Sequence, residues 1–445
     1  MLEARALLSA DGLANLLVGF HNGRPSPSTE ALLGSLGAEV VSVYSSGSAL
    51  VRLPAGIDSA WVLPLLRQSD GVRYAQADAP MFLPAGASSP LVGSLDPLYR
   101  YQWGLDNTDL KADGGPADID INAYEAWKIT HGSPSTIVAV IDTGVDVDHP
   151  DLADRIWTNP GEIPGNGIDD DRNGYVDDWR GWNTFANNNN IQDDDGHGTH
   201  VAGILGSAGD TQSGGAGVDW RARIMIVKAL GRQGGTESAF IAALNYAVDN
   251  GARVVNASLG TRPGAEVSPA LQEAVAYALS KNVVLVAAAG NSANDNDQSP
   301  VYPAGIRLPN VISVAAVDRA GNLAEFSNYG ASTVDLVAPG VGIWSTVPTG
   351  DYLGYPYKPD DPIQSFIGYA KLDGSTMATP FVAGVISLLL GLNPQLSAEV
   401  LVQSVLSTTK PIEGLDGKVS TGGIVDALAA ITGLPAVPSP PATSP

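Results

Sequence analysis

The stretch Val138-Ala-Val-Ile-Asp142-Thr-Gly144 decides the fold of this 445-residue chain. Four apolar residues followed directly by a carboxylate predict a buried strand that ends at Asp142. The same patterns predict strands at 223–228, 254–257, 283–288 and 311–315, with helices at 200–207, 238–250 and 270–281 among them. This alternation is typical of a parallel sheet covered by helices on both faces. Such sheets bind ligands at the carboxyl ends of their strands, where Asp142 is expected.

Two further motifs supply the groups that acyl transfer needs. Asp195-Gly-His197-Gly-Thr-His200-Val-Ala-Gly203 places a histidine near the start of a predicted helix. Asp373-Gly-Ser375-Thr376-Met-Ala-Thr-Pro380 places hydroxyl groups at the head of an apolar helix. In nucleophilic acyl transfer a hydroxyl attacks, an imidazole takes its proton, and a carboxylate holds the imidazole in the correct tautomer.

Together these motifs make residues 98–430 resemble the subtilisin family of serine proteases, the subtilases. The family motifs D-[ST]-G, H-G-T-H-V-A-G and G-T-S-M-A-[ST]-P correspond to Asp142–Gly144, His197–Gly203 and Gly374–Pro380. The resemblance implies an α/β fold of three layers with a mostly parallel central sheet. It also implies a triad in which Asp142 supports His197, and His197 deprotonates the hydroxyl at position 376.

The resemblance extends to the oxyanion and substrate sites. Ala288-Ala289-Gly290-Asn291 matches the family sequence A-A-G-N, which implies that the Asn291 amide donates to the oxyanion of the tetrahedral intermediate. Ser258-Leu259-Gly260 resembles the strand that pairs with an extended peptide substrate. Ala288, Ala289 and Gly290 are then expected to line the pocket for the residue before the scissile bond.

The third motif departs from the family at the nucleophile. Thr376 stands where the family has serine, and the serine lies one place earlier, at Ser375. Neighbouring helical residues point about 100° apart, so Ser375 does not replace it. The methyl group of Thr376 restricts χ1, and strongly reduced turnover is expected. Two explanations remain open: a natural or engineered change of the nucleophile in a genuine protease precursor, or a protein that has lost catalysis.

An acidic insertion at 167–178 predicts a calcium site. Its residues match the first, third, fifth, sixth and ninth positions of an EF-hand loop, namely Asp169, Asp171, Asn173, Gly174 and Asp177. Tyr175 is expected to add its backbone carbonyl, whereas Arg180 stands where the loop has a bidentate glutamate. The resemblance implies a second calcium ligand at Asp151. The alternative is a solvated acidic loop.

Composition excludes several other classes of protein. The formal net charge of −23 disfavours a nucleic-acid partner, because that surface repels phosphates. The absence of cysteine excludes disulfide scaffolds and thiol chemistry, and with five histidines and no H-E-x-x-H motif a zinc site at His197 and His200 is disfavoured. No apolar stretch predicts a membrane span, and the first 25 residues do not read as a signal peptide.

The N-terminal 83 residues are predicted to form a separate small α+β domain. They resemble the inhibitory propeptide of the family, which implies an intramolecular inhibitor; an unrelated accessory domain is the alternative. A linker rich in Pro, Gly and Ser is predicted at 84–97, the catalytic domain at 98–433 and a Pro/Ser-rich tail at 434–445.

The resulting hypothesis is a secreted, calcium-stabilised, monomeric precursor of a subtilisin-like endopeptidase that acts on protein or peptide substrates. A non-catalytic peptide-binding or folding-assistant protein on the same scaffold is the competing hypothesis. A calcium-binding structural module is a third, and it requires all the triad motifs to be coincidental.

Overall fold

The computed structural model describes residues 15–81, 98–107, 118–209, 211, 214–349 and 368–434. The predicted linker at 84–97 lies outside these residues, as do residues 435–445 of the predicted tail. The part described before the linker forms a small N-terminal unit, and the part after it forms a larger unit.

The small unit is an antiparallel sheet with two helices among the residues described. Its elements are β1 (Asn15–Phe20), α1 (Pro27–Ser35), β2 (Glu39–Val43), β3 (Ser48–Arg52), α2 (Ser59–Arg67), β4 (Val72–Ala77) and β5 (Pro80–Met81). The sheet has the order β2-β3-β1-β4, with antiparallel pairs throughout. The predicted α+β class of this unit is confirmed.

The central strand β1 is buried on both of its faces. Leu16, Val18 and Phe20 pack into the apolar cluster of the small unit itself. Leu17, which points the opposite way, packs into a cluster built largely from helices of the larger unit. The period of two along a strand therefore gives one face to the unit's own core and the other to its neighbour.

The larger unit contains the remaining elements. They are α3 (Ala123–Trp127), β6 (Ile137–Asp142), β7 (Gly181–Asn183), α4 (His197–Gly206), β8 (Arg223–Lys228), β9 (Leu230–Gly231), β10 (Gly234–Thr236), α5 (Glu237–Asp249), β11 (Val254–Ala257), α6 (Pro269–Ser280), β12 (Val284–Ala288), β13 (Val311–Val317), β14 (Leu336–Pro339), β15 (Ile343–Thr346), β16 (Tyr369–Leu372), α7 (Ser375–Leu392), α8 (Ala398–Leu406), β17 (Lys410–Pro411), β18 (Gly423–Ile424) and α9 (Ala427–Thr432). Short 3₁₀ helices lie at Leu98–Tyr101 and Ala153–Arg155.

A central sheet with the order β17-β18-β14-β13-β12-β11-β6-β8-β7 organises the larger unit. Its pairs are parallel except at the edge, where β17 runs antiparallel to β18. Ala257 of β11 lies opposite Ile141 on one side and Ala287 on the other. The carboxyl ends of β6, β11 and β12 therefore meet at one edge, as the sequence predicts.

Helices cover both faces of this sheet. Val138 and Val140 of β6 pack into a cluster with α4 and α7, whereas Ala139 and Ile141 pack into a cluster with α5 and α6. The central strands β6, β8, β11, β12, β13 and β14 bury both of their faces, which explains the continuous apolar runs in the sequence. The prediction of three layers with a mostly parallel sheet is confirmed.

The helix α7 is the core of one layer. Its 18 residues have a mean hydropathy of 1.7, which is apolar enough for a membrane span, but 89% of them are buried inside the protein. The length and composition of α7 are thus those of a central helix of a folded domain.

Candidate active site

Asp142 and His197 form a hydrogen-bonded pair, called here the Asp–His pair. Asp142 ends β6 and His197 begins α4, and His197 Nδ1 donates to Asp142 Oδ1 at 2.7 Å. Asp142 is 1% exposed, and the backbone N–H of Thr143 also donates to its Oδ1, at 2.8 Å. The carboxylate therefore fixes which imidazole nitrogen carries the proton and leaves Nε2 as the basic atom.

A glycine permits the close approach that this pair requires. A β-carbon on Gly198 would lie 2.1 Å from the carbonyl oxygen of Gly144 and 3.1 Å from Cβ of Asp142. The second residue of α4 is therefore in direct contact with the turn that follows β6. Any side chain at position 198 would push the helix, and His197 with it, away from Asp142.

The pKa of His197 is raised above its ordinary value of 6.5. Burial alone lowers this pKa, because it disfavours the charged form, but the charge and hydrogen bond of Asp142 together with the nearby acidic charges outweigh burial. The charges of Asp195 and Asp193 raise the pKa further. A general base acts in its neutral form, so activity that depends on His197 is expected to fall as the pH drops through this raised value.

Thr376 is the second residue of α7, and its side chain is 2% exposed. Its hydroxyl donates to Sδ of Met377 at 3.3 Å. Among the described residues His197 Nε2 is buried and has no hydrogen-bond partner. Among the described residues, the hydroxyl of Thr376 therefore forms no hydrogen bond with His197 Nε2.

Asn291 lies just after β12 and borders the same space as the threonine hydroxyl. A β-carbon on Gly374 would lie 2.6 Å from Thr376 Oγ1 and 3.1 Å from Asn291 Nδ2. The backbone N–H of Ser375 donates to Asn291 Oδ1 at 2.8 Å. This bond assigns the oxygen of the amide to the helix, so Nδ2 is the atom directed at the space beside the hydroxyl.

Ser375 has a role that sequence reasoning missed. It is fully buried, and its Oγ accepts the backbone N–H of Gly290 at 3.1 Å. Together with the bond to Asn291, this contact ties the start of α7 to the loop after β12. In the sequence, the signal for this role is a serine directly before Thr376.

The predicted substrate segments lie at the carboxyl ends of the neighbouring strands β11 and β12. Ser258 and Leu259 are fully buried, and Ser258 Oγ donates to the backbone carbonyl of Thr376 at 2.7 Å. A β-carbon on Gly260 would lie 2.8 Å from Cγ1 of Val301, so no side chain fits there. The segment 258–260 therefore contacts Thr376 directly.

The second predicted segment, Ala288-Ala289-Gly290, is held by buried asparagines. The side chains of Asn296 and Asn328 both donate to the carbonyl of Ala289, at 2.9 and 3.0 Å. Gly290 adopts a φ of 113°, and a β-carbon there would lie 2.4 Å from Asn328 Nδ2. Glycine is therefore required at this position, both by the backbone conformation and by the available space.

His200 is part of the protein core. It is fully buried, and its Nε2 lies 3.0 Å from the carbonyl of Ile343 and 3.2 Å from that of Ala370. Burial, and next the nearby His197, lower the pKa of His200 to about 3. A neutral imidazole bonded to the backbone of two strands has a structural role.

The acidic insertion brings together a set of carboxylates that only partly matches the predicted one. Candidate ligand atoms of Glu162, Asp171 and Asp178 lie within 4.8 Å of one another. Glu162 is 7% exposed, and its Oε2 is buried without a hydrogen-bond partner among the described residues. Carboxylate oxygens so grouped are the ligands that Ca²⁺ prefers. Glu162, which lies before the acidic run, was missed by sequence reasoning.

The other predicted ligands of the insertion mostly bind the loop's own backbone. Asp169 accepts the N–H groups of Asn173 and Gly174 at 3.0 and 2.9 Å. Asp177 accepts those of Asn166 and Gly167 at 3.0 and 2.8 Å. The loop is therefore shaped by hydrogen bonds from its backbone to its own carboxylates.

The remaining predicted ligands are placed as follows. Asn173 Nδ2 donates to Asp171 Oδ2 and Asp178 Oδ2 at 3.2 and 3.1 Å, so Asn173 borders the cluster. The ring of Tyr175 packs edge-on against those of Trp182 and Tyr246. Asp151 precedes the insertion in sequence. It is 2% exposed and accepts the N–H of Gly215 at 3.0 Å.

The small unit contacts α5 through its last strand and the residues before it. Asp78 accepts the N–H of Ser238 at 2.7 Å and also the Ser238 hydroxyl, at the start of α5. The N–H of Glu237 donates to the carbonyl of Ala79 at 2.5 Å. β5 then pairs antiparallel with β10, which precedes α5. The chain thus leaves the small unit along an edge strand of the larger one.

Comparison with known proteins defines the class of the chain. The profile of the subtilase family matches residues 133–427, which is more than half of the chain. The profile of the fervidolysin N-terminal prodomain matches residues 15–78. The chain therefore belongs to the subtilase family of serine endopeptidases and carries a fervidolysin-like prodomain at residues 15–78.

Individual relatives agree with this assignment. Thermitase of Thermoactinomyces vulgaris is 39% identical over 270 residues, which cover 60% of this chain and 79% of thermitase. The thermophilic serine proteinase of Bacillus sp. (strain AK1) is 37% identical over 308 residues, which cover 68% of this chain and 64% of that protein.

A solved structure resembles both units together. The crystal structure of fervidolysin from Fervidobacterium pennivorans, described as a keratinolytic enzyme related to subtilisin, superimposes with a TM-score of 0.72 at 25% sequence identity. The match covers 95% of this chain and 61% of fervidolysin, so this chain spans less than two thirds of that protein.

Proposed function

We propose that this chain is the precursor of a subtilisin-like endopeptidase in which Asp142, His197 and Thr376 form the triad and Asn291 supplies the oxyanion donor. The observation that carries the proposal is the 2.7 Å bond of the Asp–His pair at the sheet edge where the nucleophile helix begins. In the reaction, His197 Nε2 takes the proton of the hydroxyl at position 376 while that oxygen attacks the peptide carbonyl. Asn291 Nδ2 then donates to the developing oxyanion.

The threonine is expected to make this precursor slow. Its hydroxyl is turned toward Met377, and we infer that it reaches His197 only after rotation about χ1. The added methyl group occupies one of the staggered positions in a side chain that is 2% exposed, so this rotation meets packed atoms. We infer that the loss lies in the orientation of the Thr376 hydroxyl.

The competing function is a peptide-binding protein without catalysis. It is favoured by the absence of a hydrogen bond to His197 Nε2 among the described residues. Both functions would use the same peptide-binding edge, and they differ only in whether the hydroxyl of Thr376 reacts. The edge would be built by Ser258, Leu259, Gly260, Ala288, Ala289 and Gly290.

Restoring serine separates the two functions. The full chain, its Thr376→Ser variant and the double variant Thr376→Ser with His197→Ala are produced in parallel and treated with a biotinylated fluorophosphonate. We expect strong labelling at position 376 in the serine variant alone, with cleavage after the prodomain seen by intact mass. Labelling that survives His197→Ala would contradict the triad, and a serine variant without label or cleavage would favour the binding function.

We propose, next, that the acidic insertion binds calcium through Glu162, Asp171 and Asp178, with Asp151 as a ligand of a separate site. The unpartnered Oε2 of Glu162 supports the first site, because a buried carboxylate oxygen needs a cation or a donor. Ca²⁺ would neutralise the repulsion among the clustered carboxylates and stabilise the insertion. The predicted ligands Asp169, Asn173, Tyr175 and Asp177 would then shape this site or contribute further oxygens.

We infer the organisation of the precursor from the same contacts. Residues 1–83 would act as the intramolecular inhibitor, 84–97 as the linker that is processed, 98–433 as the catalytic domain and 434–445 as a tail. The pairing of β5 with β10 supports an inhibitor that directs its carboxyl end along the catalytic domain. We propose secretion and a monomeric state, with protein or peptide substrates.

A further inference from the structure

Asp193 accepts hydrogen bonds from residues on both sides of the Asp–His pair. Its Oδ1 accepts from Thr143 Oγ1 at 2.9 Å, Asp195 N at 3.0 Å and Gly196 N at 2.8 Å. Its Oδ2 accepts from Thr199 N at 2.9 Å and Thr199 Oγ1 at 2.6 Å. Hydrogen bonds to a charged acceptor are roughly twice as strong as those to a neutral one, so the contacts of Asp193 are expected to hold these donors firmly in place.

The hydroxyl of Thr143 is oriented by Asp193. A threonine hydroxyl has a single proton, and Thr143 donates that proton to the carboxylate. Its lone pairs therefore face the other way, where Oγ1 accepts the N–H of Gly198 at 2.9 Å. Thr143 directly follows Asp142 and Gly198 directly follows His197, so this bond runs beside that of the Asp–His pair.

The hydroxyl of Thr199 repeats the arrangement in the opposite direction. It also donates its proton to Asp193, and its oxygen accepts the backbone N–H of Asp146 at 3.0 Å. In the first case a hydroxyl from the segment after β6 accepts an N–H of α4. In the second, a hydroxyl of α4 accepts an N–H of the segment after β6. One carboxylate thus fixes two reciprocal links between the segments that carry Asp142 and His197.

The start of α4 also depends on this carboxylate. Gly196 precedes the helix and supplies no side-chain cap. Asp193 instead accepts the N–H groups of Gly196 and Thr199 and so satisfies donors that the helix itself leaves unpaired. His197 is the first residue of this helix, so a shift of the helix start moves the imidazole directly.

We propose that Asp193 is a positioning residue that orients the hydroxyls of Thr143 and Thr199 and thereby holds His197 in hydrogen-bonding register with Asp142. This inference rests on the proposed triad, since it assigns a supporting role to a residue that does not touch substrate. A separate consequence concerns charge: Asp193 and Asp195 both raise the pKa of His197, although less than Asp142 does.

Three substitutions separate positioning from charge. Asp193→Asn removes the charge and places an amide N–H against the donors of Thr199. Asp195→Asn removes a neighbouring charge but affects neither threonine hydroxyl. Thr143→Val keeps both charges and removes one of the two links. Each is made in the Thr376→Ser background, where turnover of a peptide substrate is followed over a range of pH.

We expect Asp193→Asn to lower kcat by roughly 10- to 100-fold with KM little changed, because a misplaced base slows only the chemical step. Thr143→Val should reproduce part of the loss of kcat without moving the acid limb of the pH profile. Asp195→Asn should move the acid limb downward with a smaller loss of kcat. If Asp193→Asn matches Asp195→Asn in both kcat and acid limb, Asp193 acts only as a charge and the proposal is wrong.

A spectroscopic measurement on the original chain keeps the test independent of activity. The chain has five histidines, so labelling them with ¹⁵N resolves the low-field proton of His197 Nδ1. We expect this resonance to weaken or shift upfield in Asp193→Asn and Thr143→Val but to persist in Asp195→Asn. An inactive Thr376→Ser parent with this pattern would refute the proposed function alone, whereas an unchanged resonance in a folded Asp193→Asn would refute the positioning role. If Asp193→Asn does not fold, Thr143→Val decides the question.

Discussion

At the scale of single residues, the amide of Asn291 is held in place before any substrate arrives. The N–H of Ser375 fixes its oxygen, and Nδ2 borders the space beside Thr376 Oγ1. We predict that Asn291→Leu in the Thr376→Ser background lowers kcat by about 10²- to 10³-fold, with KM little changed, because the donor acts on charge that develops only in the transition state. Steady-state kinetics against the Thr376→Ser parent measure this.

The same experiment needs a control for disturbed packing. Ser375→Ala keeps the backbone N–H that orients Asn291 but removes the hydroxyl that accepts from Gly290. It should cost less kcat than Asn291→Leu. Equal losses would mean that the loop position, and not the amide donor, limits the reaction.

The sequence predicts the identity of these residues better than their geometry. Asp142 and His197 follow from motifs, and the structure pairs them at 2.7 Å. The rotamer of Thr376 and the hydroxyl orientations set by Asp193 do not follow, because they depend on partners that tertiary packing brings close. The distance in sequence between Asp193 and Thr143 shows why no local pattern contains such a bond.

At the scale of elements, the acidic insertion makes a prediction about stability. If Glu162, Asp171 and Asp178 bind calcium, millimolar Ca²⁺ should raise the Tm of the full chain by several degrees, and a chelator should reverse the change. Glu162→Gln should abolish most of this shift, because it weakens a ligand whose oxygen is otherwise unpartnered. Differential scanning fluorimetry with and without Ca²⁺ measures the shift.

A matched variant distinguishes the two possible ligand sets. Asp169→Asn removes the charge that caps the N–H groups of Asn173 and Gly174. It should lower the Tm with and without Ca²⁺ and leave the calcium-dependent shift largely intact. If Asp169→Asn loses the shift and Glu162→Gln keeps it, the EF-hand-like set is correct and the carboxylate cluster is not the site.

Element types are easier to predict here than element boundaries. The strands predicted at 223–228 and 254–257 have those bounds in the structure, because apolar runs in a doubly covered sheet are unambiguous. The helix predicted at 200–207 begins instead at His197, since Asp193 supplies its missing cap. The helix α1 was not predicted, although Ser26 caps it and a proline begins it.

At the scale of the whole molecule, two buried carboxylic acids lie where the prodomain meets α5. Asp78 of the prodomain is 3% exposed, and Glu237 of the catalytic domain is 1% exposed. Asp78 is bonded to Ser238, and Glu237 to the side chains of Gln76 and Ser268. Neither carboxylate forms an ion pair with a Lys, Arg or His in the described part of the chain. The acids therefore repel each other when both are ionised.

Burial is the main cause that raises the pKa of Asp78 to about 6 and that of Glu237 to about 7. In the separated domains, water reaches both groups and their pKa values return toward 3.8 and 4.5. The docked state thus binds more protons than the open state. The contribution of these two acids to docking is therefore fully present below the open-state pKa values of 3.8 and 4.5 and is lost as the pH rises through 6 to 7.

We therefore predict that the prodomain opens more readily at pH 8 than at pH 5.5, and that Glu237→Gln removes much of this dependence. Glutamine keeps the shape of glutamate and stays neutral at every pH, so at pH 8 the variant should open less readily than the original chain, with a smaller pH dependence left by Asp78. Hydrogen exchange of the backbone amides of residues 237 and 238, which donate to the carbonyl of Ala79 and to Asp78, reports the opening in the full chain after correction for intrinsic rates. Between the pKa of a group in the open state and its pKa in the docked state, each pH unit changes the opening equilibrium by about tenfold.

Glu273→Gln is the control, because Glu273 binds Arg73 and Tyr74 at the same interface and is already paired with a cation. It should increase opening at both pH values alike. Equal pH dependence in the original chain and in Glu237→Gln would show that the buried acids do not control release, and that other contacts between the prodomain and α5 and α6 set its pH response.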